Sequence, residues 1–517
     1  MAIVPAAAIA AWLAAGALAQ RTQGAPLPAL ADLAGVAAPM REAIVDADAR
    51  ARRSPTGATV GALARVYHAS LRVSEALALY PLAERLAPGD WTWTYLRALL
   101  LEERGDQAAA RAALERVTTA APGFGLAWYR LGELAFKQGR LDDAQVAYER
   151  ARDAAGVPPF TAPFMPAGVA SRQTVPLSAY AGLGLARVAL DRHDRAGAAT
   201  RLRTLVDSYP AFGPARALLR TEERRASPGT TAAAAPSPSD RAFDAPFVPP
   251  ADPLLDAVVA DSRHSDLLLK HAGIATRAGD AAWREYLVRR ALTYNPQDLN
   301  VLMEAAAMLQ ATGRAAEALP YLKQHEALAP GDHHTLVEEG RVLTDLGRLP
   351  EAEAVLRRAV VVRDAAAEYN LGAVLDLQDR WDDARAHYLR ALAINPFHAR
   401  AMNNLGVGLD RHGDSPAAVA LFEQAIDISP SSAEFYVNYG SALIQLRRFA
   451  DAQRVLATGL ALDPRAPNAH NNLGIVLASL GELPRARQEF ARALELDPRH
   501  ANARRNLERV TAALGAR

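Results

Sequence analysis

Apolar residues recur at steps of three and four along most of the chain, which is the period of a helix with one buried face. The pattern itself returns every 34 residues: Gly406, Gly440 and Gly474 share that step, as do Ala418, Ala452 and Ala486, and Pro396, Pro430, Pro464 and Pro498. Within a unit the helical period breaks once, near a central glycine, and the unit divides into two helices of about thirteen residues. Each unit therefore reads as a helical hairpin. The first glycine of the unit and the alanine twelve residues later stand where the helices cross. Small side chains there let the axes approach to about 8 Å. Gly105, Gly139, Gly279, Gly313, Gly347, Gly413 and Gly481 follow the first helix, where a turn through the left-handed region carries no Cβ penalty for glycine. The closing proline has no amide hydrogen and disfavours helix in the residue before it, so it separates one hairpin from the next.

Carried along the chain, the frame places hairpin starts near 57, 91, 125 and 179, then 265, 299, 333, 365, 399, 433 and 467. This predicts an all-α chain with one repeat segment at 57–225 and a second at 253–517, the last residues serving as a capping helix of the kind an open array needs. The copy at 333 is two residues short and has Asp364 in place of its closing proline, and Gly459 replaces an expected alanine. Residues 20–56 form an arm with a charged helix, "MREAIVDADARARR". A proline-rich insertion, 156–178, interrupts the first segment, a length typical of functional or mobile loops. The Pro, Ala and Ser content of 226–252 reads as a linker, with Phe243 and Phe247 as anchors should it fold back onto a groove.

Composition narrows the function classes. Lysine plus arginine number 58 against 57 acidic residues, a balance that argues against nucleic acid or a membrane surface as the partner. There is no cysteine, so disulfides, thiolate metal sites and cysteine nucleophiles are excluded together. Residues 2–19 are apolar and uncharged and end on Ala17-Leu18-Ala19. They predict an export signal over 1–19 and an exported, periplasmic-type location, with an uncleaved anchor or a cytoplasmic chain as alternatives. No phosphate loop, nucleophile elbow, HExxH helix or acidic calcium loop is present, so no enzyme and no cofactor is expected. "GLGLAR" at 182–187 lacks the third glycine of a dinucleotide fingerprint, and the adjacent His333 and His334 point about 100° apart on a helix, which does not suit a shared metal.

The repeat resembles the tetratricopeptide family, whose pattern runs W-x2-L-G-x2-Y, then A-x3-F, then P. Trp128, Leu131, Gly132, Ala144 and Tyr148 match in one copy, and Leu405, Gly406, Ala418, Phe422 and Pro430 in another. The resemblance implies a right-handed solenoid whose first helices line an inner, concave face.

One constellation stands out on that face. Asn370, Asn404, Asn438, Asn472 and Asn506 recur at the sixth position of successive first helices, whereas earlier copies carry Ala62, Leu96, Arg130, Gly184, Lys270, Glu304 and Glu338 there. A carboxamide both donates and accepts, so each can grip the N–H and C=O of a peptide whatever its side chains are. Asn403 and Asn471, one residue earlier, are expected to widen the polar strip, and Tyr369 and Val437 to give it apolar patches. The ladder resembles that of the O-linked N-acetylglucosamine transferases, which implies peptide holding but not their catalysis, for the likeness covers only repeats. Chaperone-binding members use lysines in their clamp, and this groove has none. The expected function is a scaffold that binds an extended segment of a protein partner. The alternative is a substrate-recruiting subunit of a separate glycosyltransferase or other envelope modification system. Nothing in the sequence speaks to oligomeric state.

Overall fold

A computed structural model of the chain describes residues 27–154, 175–210, 212–226 and 249–515. The expected export signal, most of the 156–178 insertion and most of 226–252, with Phe243 and Phe247, lie outside these residues. Among the described residues there are 26 helices and no strand. They fall into two compact units, one holding the described residues up to 226 together with 249–304, the other beginning at Ala305.

The first unit opens with α1 (Ala38–Arg53). Four hairpins follow: α2 (Gly57–Ala69) with α3 (Val73–Leu86), α4 (Thr92–Glu103) with α5 (Gln107–Ala120), α6 (Gly125–Lys137) with α7 (Leu141–Asp153), and α8 (Leu177–Asp191) with α9 (Arg195–Ser208). Then come α10 (Gly213–Ala226), α11 (Pro253–Asp261), and the hairpin of α12 (Ser265–Ala278) and α13 (Ala281–Tyr294). Next are α14 (Leu299–Ala311) and α15 (Ala315–Leu328). The second unit continues with α16 (His333–Asp345) and α17 (Leu349–Ala359), α18 (Ala365–Leu377) and α19 (Trp381–Ile394), and α20 (Ala399–Arg411) and α21 (Ser415–Ile428). It ends with α22 (Ala433–Gln445) and α23 (Phe449–Leu462), α24 (Pro467–Ser479) and α25 (Leu483–Leu496), and the single helix α26 (Ala501–Gly515). First helices begin within two residues of the frame read from the sequence. The boundary between units lies beyond the 226–252 stretch at which the sequence suggests a break.

The glycines at the helix crossing sit under a large side chain of the second helix, sixteen residues on. A Cβ at Gly406 would come within 2.9 Å of the Phe422 ring, one at Gly440 within 2.6 Å of Leu456, and one at Gly474 within 2.6 Å of Phe490. The partner alanines, Ala418, Ala452 and Ala486, are fully buried. The close approach thus admits a ring or a leucine into the hairpin, and the apolar area it removes from water is what binds one helix to the other. Every hairpin turns through a left-handed residue at its fifteenth position. Seven of the eleven are the expected glycines, and the others are Leu71, His193, Asp379 and Arg447.

The ends and the short copy have local explanations. The arm helix α1 buries Ile44, Ala47 and Ala51 and packs on α2. α26 buries Ala503 and Val510 and covers α25. In the short copy α17 stops at Ala359, and the carboxylate of Asp364 accepts the Ala367 N–H at 2.8 Å, so an N-cap replaces the missing proline as the start signal for α18.

Candidate functional site

The first helices α18, α20, α22, α24 and α26 pack side by side in the second unit. Along each, the residues at positions two, six, nine and thirteen share one face by helical periodicity. On α20 these are Arg400, Asn404, Val407 and Arg411; on α22, Glu434, Asn438, Ser441 and Gln445; on α24, Asn468, Asn472, Ile475 and Ser479. All of them are at least partly exposed. Asn370, Asn404, Asn438, Asn472 and Asn506 are each partly exposed on adjacent helices of this stripe.

Position five behaves differently. Asn403 is 1% exposed and Asn471 5%, so neither widens the strip. Each is a lock between repeats. Asn403 Nδ2 donates to Asn404 Oδ1 at 3.1 Å, while its Oδ1 accepts from Asn438 Nδ2 of the next repeat at 3.0 Å. The same pair of bonds recurs two units further on, Asn471 Nδ2 to Asn472 Oδ1 at 3.2 Å and Asn506 Nδ2 to Asn471 Oδ1 at 3.0 Å. A buried amide left without partners would cost about 1–3 kcal/mol, and this arrangement satisfies both ends of each buried carboxamide.

Tyr369 and Val437, also at position five, show the rule and its exception. Tyr369 is not simply apolar: its hydroxyl accepts from Asn404 Nδ2 at 3.4 Å, and its ring lies 4.9 Å from that of His398. Burial raises the phenol above its ordinary value. Val437 is buried and apolar as expected, and without a polar side-chain atom it cannot hold Asn472 as Asn403 holds Asn438. The network therefore has a gap between α22 and α24.

What remains free on the position-six amides follows from these bonds. Asn438 and Asn506 each use one Nδ2 hydrogen and keep Oδ1, Asn472 uses one lone pair of Oδ1 and keeps Nδ2, and Asn404, engaged at both Oδ1 and Nδ2, keeps one hydrogen and one lone pair. Charges of both signs flank the amides: Arg400, Glu434 and Arg509 are exposed on the stripe, Arg411 pairs with Asp376, and Glu368 is held by His387 at 2.6 Å and Arg390 at 3.1 Å. The stripe can offer amide donors and acceptors among charges of mixed sign. No group of three or more metal-ligating side chains converges among the described residues, and no described helix is long and apolar enough to cross a membrane.

The first unit carries a cluster that the sequence pattern did not single out. Tyr95 and Arg130 occupy positions five and six of successive first helices, and Arg130 Nε donates to the Tyr95 hydroxyl at 2.9 Å. Arg130 also pairs with Glu102 at 2.7 Å and Asp252 at 2.9 Å, and the Tyr95 hydroxyl donates to Asp252 at 2.7 Å. Asp252 is 5% exposed and caps α11 by accepting the Leu255 N–H. α11 packs on α2 and α4, with Leu254 and Val258 in the core, Asp261 on Arg65 at 2.8 Å and Ser262 donating to the Ala69 carbonyl at 2.6 Å. The signal was an Asp-Pro pair, N-cap followed by a first-turn proline, hidden at the end of a proline-rich run.

Tetratricopeptide repeat models match residues 62–123, 101–159, 363–431 and 438–501. Curated proteins yield no match. Among solved structures, the APC/C hetero-tetramer Cut9–Hcn1 is 14% identical over 91% of this chain and 93% of that one, with a TM-score of 0.44. A tetratricopeptide repeat protein from Parabacteroides merdae is 15% identical over 48% of this chain and 98% of its own, TM-score 0.39. YrrB, described as having an unusual peptide-binding site, is 19% identical over 35% of this chain and 95% of its own, TM-score 0.30. At these identities and scores no residue role passes from them to this chain.

Proposed function

We propose, for a chain built of tetratricopeptide repeats, that the first-helix face of the second unit grips an extended segment of a protein partner by its backbone, and that the chain is a non-enzymatic adaptor. The repeat scaffold is of a kind typical of protein–protein interaction. The observation that carries the finer reading is the division of labour between neighbouring positions. Buried Asn403 and Asn471 hold repeat to repeat, and partly exposed Asn404, Asn438 and Asn472 keep amide capacity on the accessible stripe. Carboxamides on that stripe satisfy peptide N–H and C=O groups without selecting side chains, and the lack of a dominant charge suits a neutral segment.

The test compares the native chain with one in which Asn404, Asn438 and Asn472 are all alanine, each used to recover bound segments from a random peptide library. The native chain enriches peptides and the variant, with native helix content by circular dichroism, does not. Equal enrichment by both rejects the grip. Copurification of an enzyme whose turnover depends on the chain would move the reading to substrate recruitment. We propose that the adaptor is exported, a reading that rests on its apolar residues 2–19. Amino-terminal sequencing of the mature chain should begin at Gln20, and an intact Met1 on a chain recovered from the cytoplasm would count against export.

A further inference from the structure

The spacing of the rungs discriminates between backbone conformations of the bound segment. Successive first helices are in direct contact, so their axes stand about 8–10 Å apart, and one asparagine of the ladder is met per helix. In a β-strand the N–H and C=O groups of successive residues face opposite sides, so the same side returns every two residues, about 6.6 Å, or every four, about 13 Å. Neither matches the rung spacing. In a polyproline II helix the same side returns every three residues at about 3.1 Å each, a repeat of about 9.3 Å. That repeat matches. Polyproline II also forms no internal hydrogen bonds, so its peptide groups are free to meet the carboxamides.

The free ends of the asparagines agree with this frame. Asn438 keeps an acceptor, Asn472 a donor and Asn506 an acceptor, so successive rungs can take an N–H, then a C=O, then an N–H from residues three apart. Resting on the peptide-grip reading, we infer that the second unit recognises a proline-rich partner segment in polyproline II conformation with a non-proline residue at every third place. The non-proline residue is required because proline has no N–H to donate. Five rungs from Asn370 to Asn506 span four repeats, about 13 residues of such a helix.

The experiment measures binding of fluorescein-labelled peptides to the full chain by anisotropy. The peptides are (Ala-Pro-Pro)5, a fifteen-residue oligoproline, and a proline-free peptide of alternating Thr and Val with terminal lysines. (Ala-Pro-Pro)5 is expected to bind at least about tenfold more tightly than either control, a difference of the size that one or two hydrogen bonds supply. Asn472→Asp keeps an oxygen that accepts from Asn471 and replaces the outward NH2 with a carboxylate oxygen, which repels a peptide C=O, so it preserves the lock and should weaken (Ala-Pro-Pro)5 by several-fold. If the alternating Thr and Val peptide binds as tightly, and its binding is lost on changing Asn404, Asn438 and Asn472 to alanine, the grip stands and the polyproline II frame is overturned. Equal binding of oligoproline overturns the requirement for N–H groups, and with it the inference. If none of the three binds, both the frame and the grip fall.

Discussion

The two units use the same pair of positions for opposite ends. In the first, positions five and six of successive first helices are Tyr95 and Arg130, a phenol and a guanidinium completed by the carboxylates of Glu102 and of Asp252 from the chain's own α11. In the second they are Asn403 and Asn438, a neutral pair that leaves the stripe accessible. The cross-repeat contact is a property of the 34-residue frame, since it joins residues 35 apart in both. What differs is the chemistry placed on it. A half-buried arginine is best matched by carboxylates, because an uncompensated charge away from water is costly, and in the first unit one match is Asp252, the buried N-cap of α11. A carboxamide completes its bonds with another carboxamide and needs no further chain. The Tyr95–Arg130 patch of the first unit is thereby occupied from within, and the second unit's stripe retains hydrogen-bonding groups.

The largest expected effect that breaks this comparison lies at Asp252. Asp252→Ala removes one of two carboxylates from Arg130 and the acceptor of Tyr95, and should destabilise the first unit by about 3 kcal/mol. Hydrogen exchange should show α2, α4 and α11 opening while α20 to α26 keep their protection. A loss under about 0.5 kcal/mol, within the range of ordinary surface substitutions, would mean that α11 is held by its apolar residues alone.

Acid sensitivity probes the first unit at a single residue. His68 is buried in the first unit, its Nδ1 3.1 Å from the Tyr80 hydroxyl, and burial lowers its pKa from 6.5 to about 4, with Glu103 opposing and His271 and Lys270 assisting. A folded-state value below the unfolded one means that the unfolded chain takes up the proton first. Stability is then full above pH 6.5 and declines as pH falls toward 4, by up to about 3 kcal/mol. His68→Gln, which can still hydrogen-bond Tyr80, should remove that part of the acid loss in α2 and α3. An unchanged pH profile in the variant would assign the loss to other groups. His387 and His398 in the second unit are lowered in the same direction, chiefly by burial, so the second unit is not acid-insensitive and the variant is the needed control.

Much of this architecture was legible in one sequence. Glycine, alanine and proline at fixed intervals located the first helices to within two residues, because the hairpin tolerates little else at its crossing and its end. The left-handed turns at Leu71, His193, Asp379 and Arg447 were not legible, since the stacked repeat imposes that conformation on residues that do not advertise it. Nor were the two roles of asparagine. Asn403 and Asn404 are one residue type side by side, and only packing separates the buried lock from the exposed rung. Tyr369 looked apolar because its ring is, but its hydroxyl joins the network. The helix α11 was missed because its purpose depends on Arg130, more than a hundred residues earlier.

Two smaller substitutions sharpen the comparison within the second unit. Asn403→Ala removes the lock between α20 and α22 and should cost about 1–2 kcal/mol by urea unfolding, with faster exchange at α20 and α22. No change would mean that water replaces the carboxamide at no cost. Val437→Asn supplies the missing position-five amide opposite Asn472. If the side chain forms both bonds of the Asn403 pattern, the gain is at most about 1 kcal/mol, with slower exchange in α24. A loss larger than that would show that the valine's packing matters more than a continuous network.

The most direct measurement of the central claim is the side-chain NH2 resonances of the asparagines, followed by NMR as (Ala-Pro-Pro)5 is added. The account predicts that Asn404, Asn438 and Asn472 shift on binding while Asn403 and Asn471 hold their positions. Shifts confined to Asn403 and Asn471, or binding with no shift at any of the five, would contradict it.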